Sequence, residues 1–120
     1  MQSRNSTPTG NLTLQTITMP KDTNPFGDIF GGWLMAQMDI AGAIHANEVS
    51  LGRVTTVAVG SMVFIRPVPV GTVISCYTST LGIGNTSIRV KVEVWIMVFL
   101  THLISQVTQG EDMYVASEKF

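Results

Sequence analysis

Alternation of apolar and polar residues is strictest between residues 87 and 96. Five aliphatic side chains occupy every second position: Ile88, Val90, Val92, Val94 and Ile96. The positions between them begin with Ser87, Arg89, Lys91 and Glu93. Because successive side chains of a strand point to opposite faces, this pattern predicts a strand with one buried face and one face in water or near a polar ligand.

Three earlier segments also have the composition of strands. They are 12–19 (LTLQTITM), 54–66 (VTTVAVGSMVFIR) and 72–81 (TVISCYTSTL), and clusters of proline, glycine and asparagine separate them. Beyond Trp95, the run "WIMVFLTHLISQ" fits a buried strand, a hairpin or an interface element. The following "VTQGEDMYVAS" predicts a final strand.

One long segment, 32–49, has a different period and predicts a helix. Helical spacing places six of its residues along a broad apolar face: Leu34, Met35, Met38, Ala41, Gly42 and Ile44. One strand, one long helix and then several strands joined by short turns are typical of an antiparallel sheet packed on a single helix. The sequence therefore predicts an α+β domain.

Composition limits the classes of protein that this chain can represent. Its 120 residues are enough for one domain, and only 12% are charged, compared with roughly 25% in an average soluble domain. So few charges predict a surface covered by partners, hence an oligomer. A net charge of −1 without a basic run argues against a nucleic-acid partner.

We expect a cytoplasmic protein with two parts. Residues 1–11 lack the apolar stretch of a signal peptide and are predicted to be a flexible leader, followed by a single domain at 12–120. The apolar runs at 31–46 and 92–104 contain charged residues, so no membrane span is predicted. The single cysteine, Cys76, fits a buried core residue better than a nucleophile.

The predicted helix carries a carboxylate, Asp39, within an apolar run. An unpaired buried carboxylate costs several kcal/mol, so Asp39 is either a catalytic group or a residue that faces solvent or a loop donor. Before it, Gly31 and Gly32 lie at the helix start, where free N–H groups can hold an oxyanion, although glycines there also serve tight turns. Asn24, in the preceding loop, can add a side-chain amide or be an ordinary loop residue.

These residues form a pattern that resembles a known family. The segment "N-x-x-G-x-x-F-G-G-W-x-M-x-Q-M-D" is similar to the signature of the YciA-type acyl-CoA thioesterases, a branch of the hotdog-fold acyl-CoA hydrolases. The likeness extends over "TITMPKDTN", "GRVTTVAVGSMVFIRPVPVGTVISCY" and "GNTSIRVKVEVW", roughly residues 12 to 96. After Trp95 the sequence departs from the family pattern.

The resemblance implies a hotdog fold, in which a curved antiparallel sheet wraps around one long central helix, and hydrolysis of acyl-CoA to free CoA and a carboxylic acid. It implies catalysis by Asp39, Asn24, Gly31 and Gly32, with Asp39 as general base or, less favoured, as nucleophile. It also implies a homodimer that assembles into a hexamer as a trimer of dimers. No cofactor or metal is expected, because His45 and His102 are isolated histidines.

Binding of CoA is expected to involve basic and hydroxyl side chains that suit phosphate oxygens. The candidates are Arg53, Ser61, Arg66, Thr86, Ser87 and Arg89. For each arginine, a solvated surface position is an equal alternative. The alternative function is an acyl-CoA-binding or structural hotdog protein with little hydrolytic activity.

Overall fold

The computed structural model describes residues 7–116, without the side chain of Ser61. Residues 1–6 of the predicted leader and 117–120 of the predicted domain lie outside the described residues. The elements in chain order are β1 (Asn11–Ile17), a short 3-10 turn (Pro20–Asp22), α1 (Gly31–Ser50), β2 (Val54–Phe64), β3 (Val73–Ile83), β4 (Ser87–Met97) and β5 (Ile104–Ala116).

The five strands form one antiparallel sheet in the order β1-β3-β4-β5-β2. Helix α1 packs against all five strands. The predicted α+β architecture, with a sheet wrapped around one long helix, is therefore confirmed. Strands β1 and β2 occupy the two edges of the sheet.

Strand β4, at the centre of the sheet, follows the predicted alternation on its apolar face. All five of its aliphatic residues are buried: Ile88, Val90, Val92, Val94 and Ile96. They pack with Leu34 and Met38 of α1 in the hydrophobic core. The alternation is sufficient to predict the buried face of β4, because both edges of this strand pair with other strands and one face packs against the helix.

The opposite face of β4 is drier than predicted, because Glu93 is only 5% exposed. Its carboxylate accepts hydrogen bonds from both the N–H and the hydroxyl of Thr9 and from the indole of Trp95, and it pairs with Lys91 at 3.1 Å. Burial alone would raise the pKa of Glu93, but these hydrogen bonds outweigh it and hold the pKa below its ordinary value. The chain ahead of β1 thus covers a polar position that the pattern places in water.

Helix α1 buries a narrower face than the sequence predicts. Leu34, Met38, Ala41, Gly42 and Ala46 are buried. Met35 and Ile44, predicted for the same face, are 42% and 38% exposed, because their angular positions turn them away from the sheet. In the described part of the chain, no helix has the length and hydrophobicity needed to cross a membrane.

After Trp95 the chain forms the hairpin among the three predicted alternatives. Strand β4 ends at Met97, residues 98–103 form the loop, and β5 returns beside β4. Two backbone hydrogen bonds between Val98 and the end of the loop close it, and His102 adopts a φ of 56°. The loop is apolar but exposed, with Leu100 95% accessible. The predicted final strand is present as β5.

Candidate active site

The start of α1 presents two backbone donors. The carbonyl of Phe30 accepts the N–H groups of Trp33 and Leu34, whereas those of Gly31 and Gly32 have no acceptor among residues 7–116. Neither glycine has a positive φ, so a tight turn does not explain why glycine occupies these two positions. Both are exposed, and a Cβ on Gly32 would meet nothing within 4 Å. The helix dipole therefore ends at two N–H groups that a ligand can reach.

The loop before α1 fixes the side chain of Asn24. Its Oδ1 accepts hydrogen bonds from the N–H groups of Phe26 at 2.9 Å and Asp28 at 3.1 Å. Its backbone N–H donates to the carbonyl of Asp28 at 2.7 Å. With Oδ1 occupied, the amide NH₂ of Asn24 has no partner among the described residues and is free to donate to a ligand.

A cavity of about 460 Å³ brings Gly31 and Asn24 together. Asn24, Asp28, Gly31, Phe64 and Arg66 line it. The Nε of Arg66 is buried and has no hydrogen-bond partner in the part of the chain that the structure describes. We call this space the donor cavity, because it combines two kinds of N–H donor with a guanidinium group and so suits a carbonyl or an anion.

Asp39 lies further along α1, half-buried. Its Oδ1 accepts a hydrogen bond from the Thr56 hydroxyl at 2.7 Å and lies 3.1 Å from the Tyr114 hydroxyl. Its Oδ2 has no hydrogen-bond partner among the residues described. The carboxylate is therefore held through one oxygen, while the other remains available for chemistry.

A second cavity, of about 550 Å³, opens at Asp39. Its walls include Ile40, Ala43, Ile44 and Val54, and Arg53 lies at its margin. We call it the carboxylate cavity. The lining of the two cavities has no residue in common, so a single chain presents the N–H donors and the carboxylate in separate places.

Tyr114 of β5 packs its hydroxyl against α1 beside Asp39. The hydroxyl lies 2.8 Å from the backbone oxygen of Asp39 and 3.1 Å from Oδ2 of Asp112. A Cβ on Gly42 would approach this hydroxyl to 2.2 Å, so glycine at that position allows the contact. Burial, reinforced by the two nearby carboxylates, raises the pKa of Tyr114, which keeps its hydroxyl protonated.

The remaining predicted CoA-binding residues lie outside both cavities. Arg89 is exposed and pairs with Glu111 at 3.6 Å. Thr86 and Ser87 lie at the turn between β3 and β4, and Ser61 lies within β2. Among the candidates, Arg66 thus lines the donor cavity and Arg53 lines the carboxylate cavity, and the others are not among the lining residues of either.

The other reactive side chains have structural surroundings. Cys76 is fully buried, and burial raises its pKa to about 12, which disfavours the thiolate. The ring nitrogens of His45 contact the hydroxyls of Thr78 and Thr80 at 2.9 and 2.8 Å. Within residues 7–116 no group of histidine, cysteine or carboxylate side chains is arranged to hold a metal ion.

Sequence analysis missed three residues around Asp39: Thr56, Asp112 and Tyr114. Their contacts with the helix depend on the sheet register, which brings β2 and β5 together beneath α1. A signal for Asp112 was nonetheless present in the sequence, since a period of two places this charged residue on the same strand face as Tyr114 and Ala116. In the structure it is only 5% exposed. A second carboxylate in the core is a reason to look for a partner.

Comparison with known proteins identifies the relatives of this chain. A family model of the thioesterase superfamily matches residues 26–96, more than half of the chain. The acyl-CoA thioester hydrolase YciA of Salmonella typhimurium is 50% identical over 119 residues, which cover 97% of this chain and 90% of that protein. The hexameric thioesterase y2039 from Yersinia pestis is 47% identical with a TM-score of 0.89, covering 93% of this chain and 91% of that one.

A more distant enzyme has been solved with ligands and in variant forms. The acyl-CoA hydrolase from Staphylococcus aureus, in complex with butyryl coenzyme A and coenzyme A, is 26% identical, has a TM-score of 0.81 and covers 86% of this chain and 63% of that one. Alanine variants of an aspartate, a threonine and an asparagine of that enzyme have also been solved. By its sequence and its fold, this chain belongs to the YciA-type acyl-CoA thioesterases of the thioesterase superfamily.

Proposed function

We propose that this protein hydrolyses acyl-CoA thioesters to free CoA and a carboxylic acid, with Asp39 as the general base. The observation that carries the proposal is the arrangement of Asp39, whose Oδ1 is held by Thr56 and Tyr114 while its Oδ2 is free beside a cavity. A carboxylate held in this way can take a proton from water. The relationship to YciA supports the same reaction.

The spacing of three residues provides independent support. In this chain, Asp39 follows Asn24 by 15 positions, and Thr56 follows Asp39 by 17 positions. The asparagine, aspartate and threonine replaced in the Staphylococcus aureus variants are separated by the same two intervals. The three side chains are therefore candidates for equivalent positions in a common site.

The proposed reaction begins with attack of water on the thioester carbonyl carbon. Asp39 accepts a proton from the water as the oxygen–carbon bond forms, and the carbonyl oxygen becomes an oxyanion. The oxyanion then collapses, the carbon–sulfur bond breaks, and the CoA thiolate leaves and takes up a proton. Water is the only co-substrate, and the proposed reaction uses no cofactor.

The oxyanion is proposed to form in the donor cavity. The N–H groups of Gly31 and Gly32 and the free amide of Asn24 can each donate to it. One such donor contributes about 3–4 kcal/mol of transition-state stabilisation in comparable sites. The glycines leave the helix start open, so a bulky thioester can approach its backbone.

Direct attack by Asp39 would instead give a mixed anhydride. A single turnover in water labelled with heavy oxygen detects the anhydride route where the anhydride is hydrolysed at the Asp39 carboxyl carbon. The general-base route places the label in the released acid, whereas hydrolysis of the anhydride at the Asp39 carboxyl carbon leaves the label in the protein. We expect the label in the acid.

We further propose that each site is shared between two protomers. Within one chain, Asp39 lies about 12 Å along the helix axis from Gly31, and the two groups line separate cavities. A two-fold axis can bring the donor cavity of one protomer to the carboxylate cavity of its partner. The Yersinia pestis relative is hexameric, and we propose the same assembly here, as a trimer of dimers.

For CoA, the proposed phosphate contacts are Arg53 and Arg66, which adjoin the cavities. Thr86, Ser87, Arg89 and Ser61 remain candidates that assembly would have to bring to the site. A cytoplasmic location also remains a prediction, and the single buried Cys76 is compatible with a reducing compartment.

A thiol-release assay tests the proposed function. Acyl-CoAs from acetyl-CoA to palmitoyl-CoA are incubated with the protein, and released CoA is measured with a thiol reagent. We expect turnover that depends on Asp39. Tight acyl-CoA binding without release of CoA would instead support the alternative function, an acyl-CoA-binding or structural hotdog protein.

A further inference from the structure

The hydroxyl of Tyr114 lies between two carboxylates. Its oxygen is 3.1 Å from Oδ1 of Asp39 and 3.1 Å from Oδ2 of Asp112, and the backbone oxygen of Asp39 is at 2.8 Å. Tyr114 is fully buried and Asp112 is 5% exposed. These three residues form a polar chain that runs from the core to the proposed base.

A proton count restricts how this chain can be arranged. The tyrosine hydroxyl carries one hydrogen, which its two contacts on Asp39, the backbone oxygen and Oδ1, can share but which cannot also serve Asp112. If both carboxylates were ionised, the second would face a hydroxyl lone pair at hydrogen-bond distance. A proton on one carboxyl group turns that contact into a second hydrogen bond. One extra proton therefore gives both carboxyl groups a hydrogen bond with the hydroxyl.

Asp112 is the better holder of that proton. Asp39 is half-buried and accepts a hydrogen bond from the Thr56 hydroxyl, whereas Asp112 is almost fully buried, and burial penalises a charge. In the described part of the chain, no lysine, arginine or histidine forms an ion pair with Asp112. Burial raises the pKa of Asp112, and the charge of Asp39 raises it further against the opposing hydrogen bond from Tyr114.

Few other titratable groups face this chain of contacts. Strand β2 contributes none, since Val54–Phe64 contains no ionisable side chain. Arg89 and Lys91 of β4 lie on the other face of the sheet, paired with Glu111 and Glu93. On α1 and the segment after it, Glu48 and Arg53 share the carboxylate cavity with Asp39. The local charge balance therefore rests mainly on Asp39 and Asp112.

We propose that Tyr114 is a positioning residue for Asp39, and that Asp112 holds a proton and donates it to the Tyr114 oxygen, so that the Tyr114 hydroxyl donates to Asp39. This inference rests on the proposed thioesterase function and names a residue pair that acts behind its base. The chain fixes Oδ1 of Asp39 together with Thr56 and leaves Oδ2 for water.

Tyr114→Phe tests the first part. Phenylalanine keeps the ring and removes the hydrogen bond, so kcat should fall about tenfold with KM nearly unchanged. Losing a donor to the ionised base should also move the acid limb of kcat/KM to higher pH. Tyr77→Phe, on β3, is the matched control and should leave both quantities unchanged. A purely structural Tyr114 would lower the active fraction without moving the acid limb.

Asp112→Asn tests the second part, because asparagine can still donate to the Tyr114 oxygen but carries no titratable proton. We expect the acid limb of kcat/KM to stay where it lies in the wild type. In infrared spectra, a protonated-carboxyl band of the wild type should disappear in this variant. An acid limb moved to lower pH, or no such band, would show that Asp112 is ionised and overturn the proton assignment. This spectroscopic comparison does not require activity.

The outcomes separate this inference from the proposed function. A wild-type protein that releases no CoA from any acyl-CoA contradicts the proposed function itself. A wild-type protein that turns over, with Tyr114→Phe matching its kcat and its pH profile, contradicts only the positioning role. Should Tyr114→Phe not fold, as judged by circular dichroism, the Asp112→Asn spectra still decide where the proton lies.

Discussion

The Thr56 hydroxyl donates a 2.7 Å hydrogen bond to Oδ1 of Asp39, which connects the edge strand β2 to the middle of α1. This contact gives the half-buried carboxylate a donor that its own helix does not supply. Tyr114 contacts the same Oδ1, so both side chains hold only one of the two carboxylate oxygens. The contacts around Asp39 thereby define which of its oxygens is left free for the proposed chemistry.

Thr56→Val should lower kcat about 10–100-fold, because it keeps the shape of the side chain and removes a hydrogen bond to a charged group worth about 1.5–3 kcal/mol. The neighbouring Thr55, exposed on the other face of β2, provides the matched control as Thr55→Val. Steady-state kinetics on one acyl-CoA substrate measure both. Equal kinetics for the two variants would remove Thr56 from the site.

Asp39→Asn should keep the fold and reduce kcat by about 10²–10⁴-fold, since it removes the general base while preserving shape. Circular dichroism and thermal unfolding would confirm the fold. Asp22→Asn, in the 3-10 turn before α1, serves as the control for a carboxylate placed elsewhere. Near-normal turnover of Asp39→Asn would be incompatible with the mechanism.

The parts of the molecule that sequence predicts well are those governed by local periodicity. The alternation from Ile88 to Ile96 predicts β4, and the helix of Gly31–Ser50 extends the predicted one by a residue at each end. Contacts that depend on the sheet register cannot be predicted in this way, because no local sequence pattern indicates them. Tyr114 reaches Asp39 across 75 residues of sequence, and Thr9 reaches Glu93 across 84.

The candidate site divides in the same way. Asp39, Asn24 and the two glycines are recognisable from a short motif, because a helix start and a carboxylate two turns later lie on one element. The residues that hold Asp39 lie on β2 and β5, whose positions depend on the complete fold. Helix residues such as Met35 are equally hard to assign. Its side chain is exposed in the single chain, yet it follows the same helical spacing as the buried apolar residues.

Gly42→Ala should destabilise the protein even though alanine is the better helix former by about 1 kcal/mol. The new Cβ would lie 2.2 Å from the Tyr114 hydroxyl, and overpacking of this kind costs about 1–3 kcal/mol. Urea unfolding would measure the loss. In a Tyr114→Phe background the loss should be smaller, because the closest atom is absent; an equal loss in both backgrounds would place the strain elsewhere.

The stability of the Asp112→Asn variant should depend on pH in a defined direction. The pKa of Asp112 is raised in the folded state, so on raising the pH the unfolded chain loses this proton first, and stability falls until the pH passes the folded pKa. Asp112→Asn removes that loss. Its unfolding free energy relative to the wild type should therefore increase with pH, from the ordinary carboxyl pKa upward to the raised one.

Glu93→Gln provides the opposite case in the same experiment. The pKa of Glu93 is lowered in the folded state, so the wild type gains stability above the ordinary carboxyl pKa and loses it as the pH falls through the folded value. Relative to the wild type, Glu93→Gln should lose stability as the pH rises. Difference curves of the same sign for both variants would contradict the assignment of Asp112.

A subunit-mixing experiment tests whether Asn24 of one protomer and Asp39 of its partner form one site. Asn24→Ala and Asp39→Ala chains are each expected to be impaired alone, Asn24→Ala less severely. If the site is shared, a heterodimer contains one site with both substitutions and one intact site. Half of the randomly formed dimers are heterodimers, so refolding equal amounts together should restore up to about a quarter of the wild-type sites.

The control for this mixing experiment is each variant refolded alone and then combined without exchange. Activity of the refolded mixture above the average of the two separate variants requires an intact site, and only a site made from two chains can supply one. If both residues served a site within one protomer, every chain would carry one damaged component, whatever its partner. The mixture would then be no more active than that average, and the two cavities of a single chain would have to form one site.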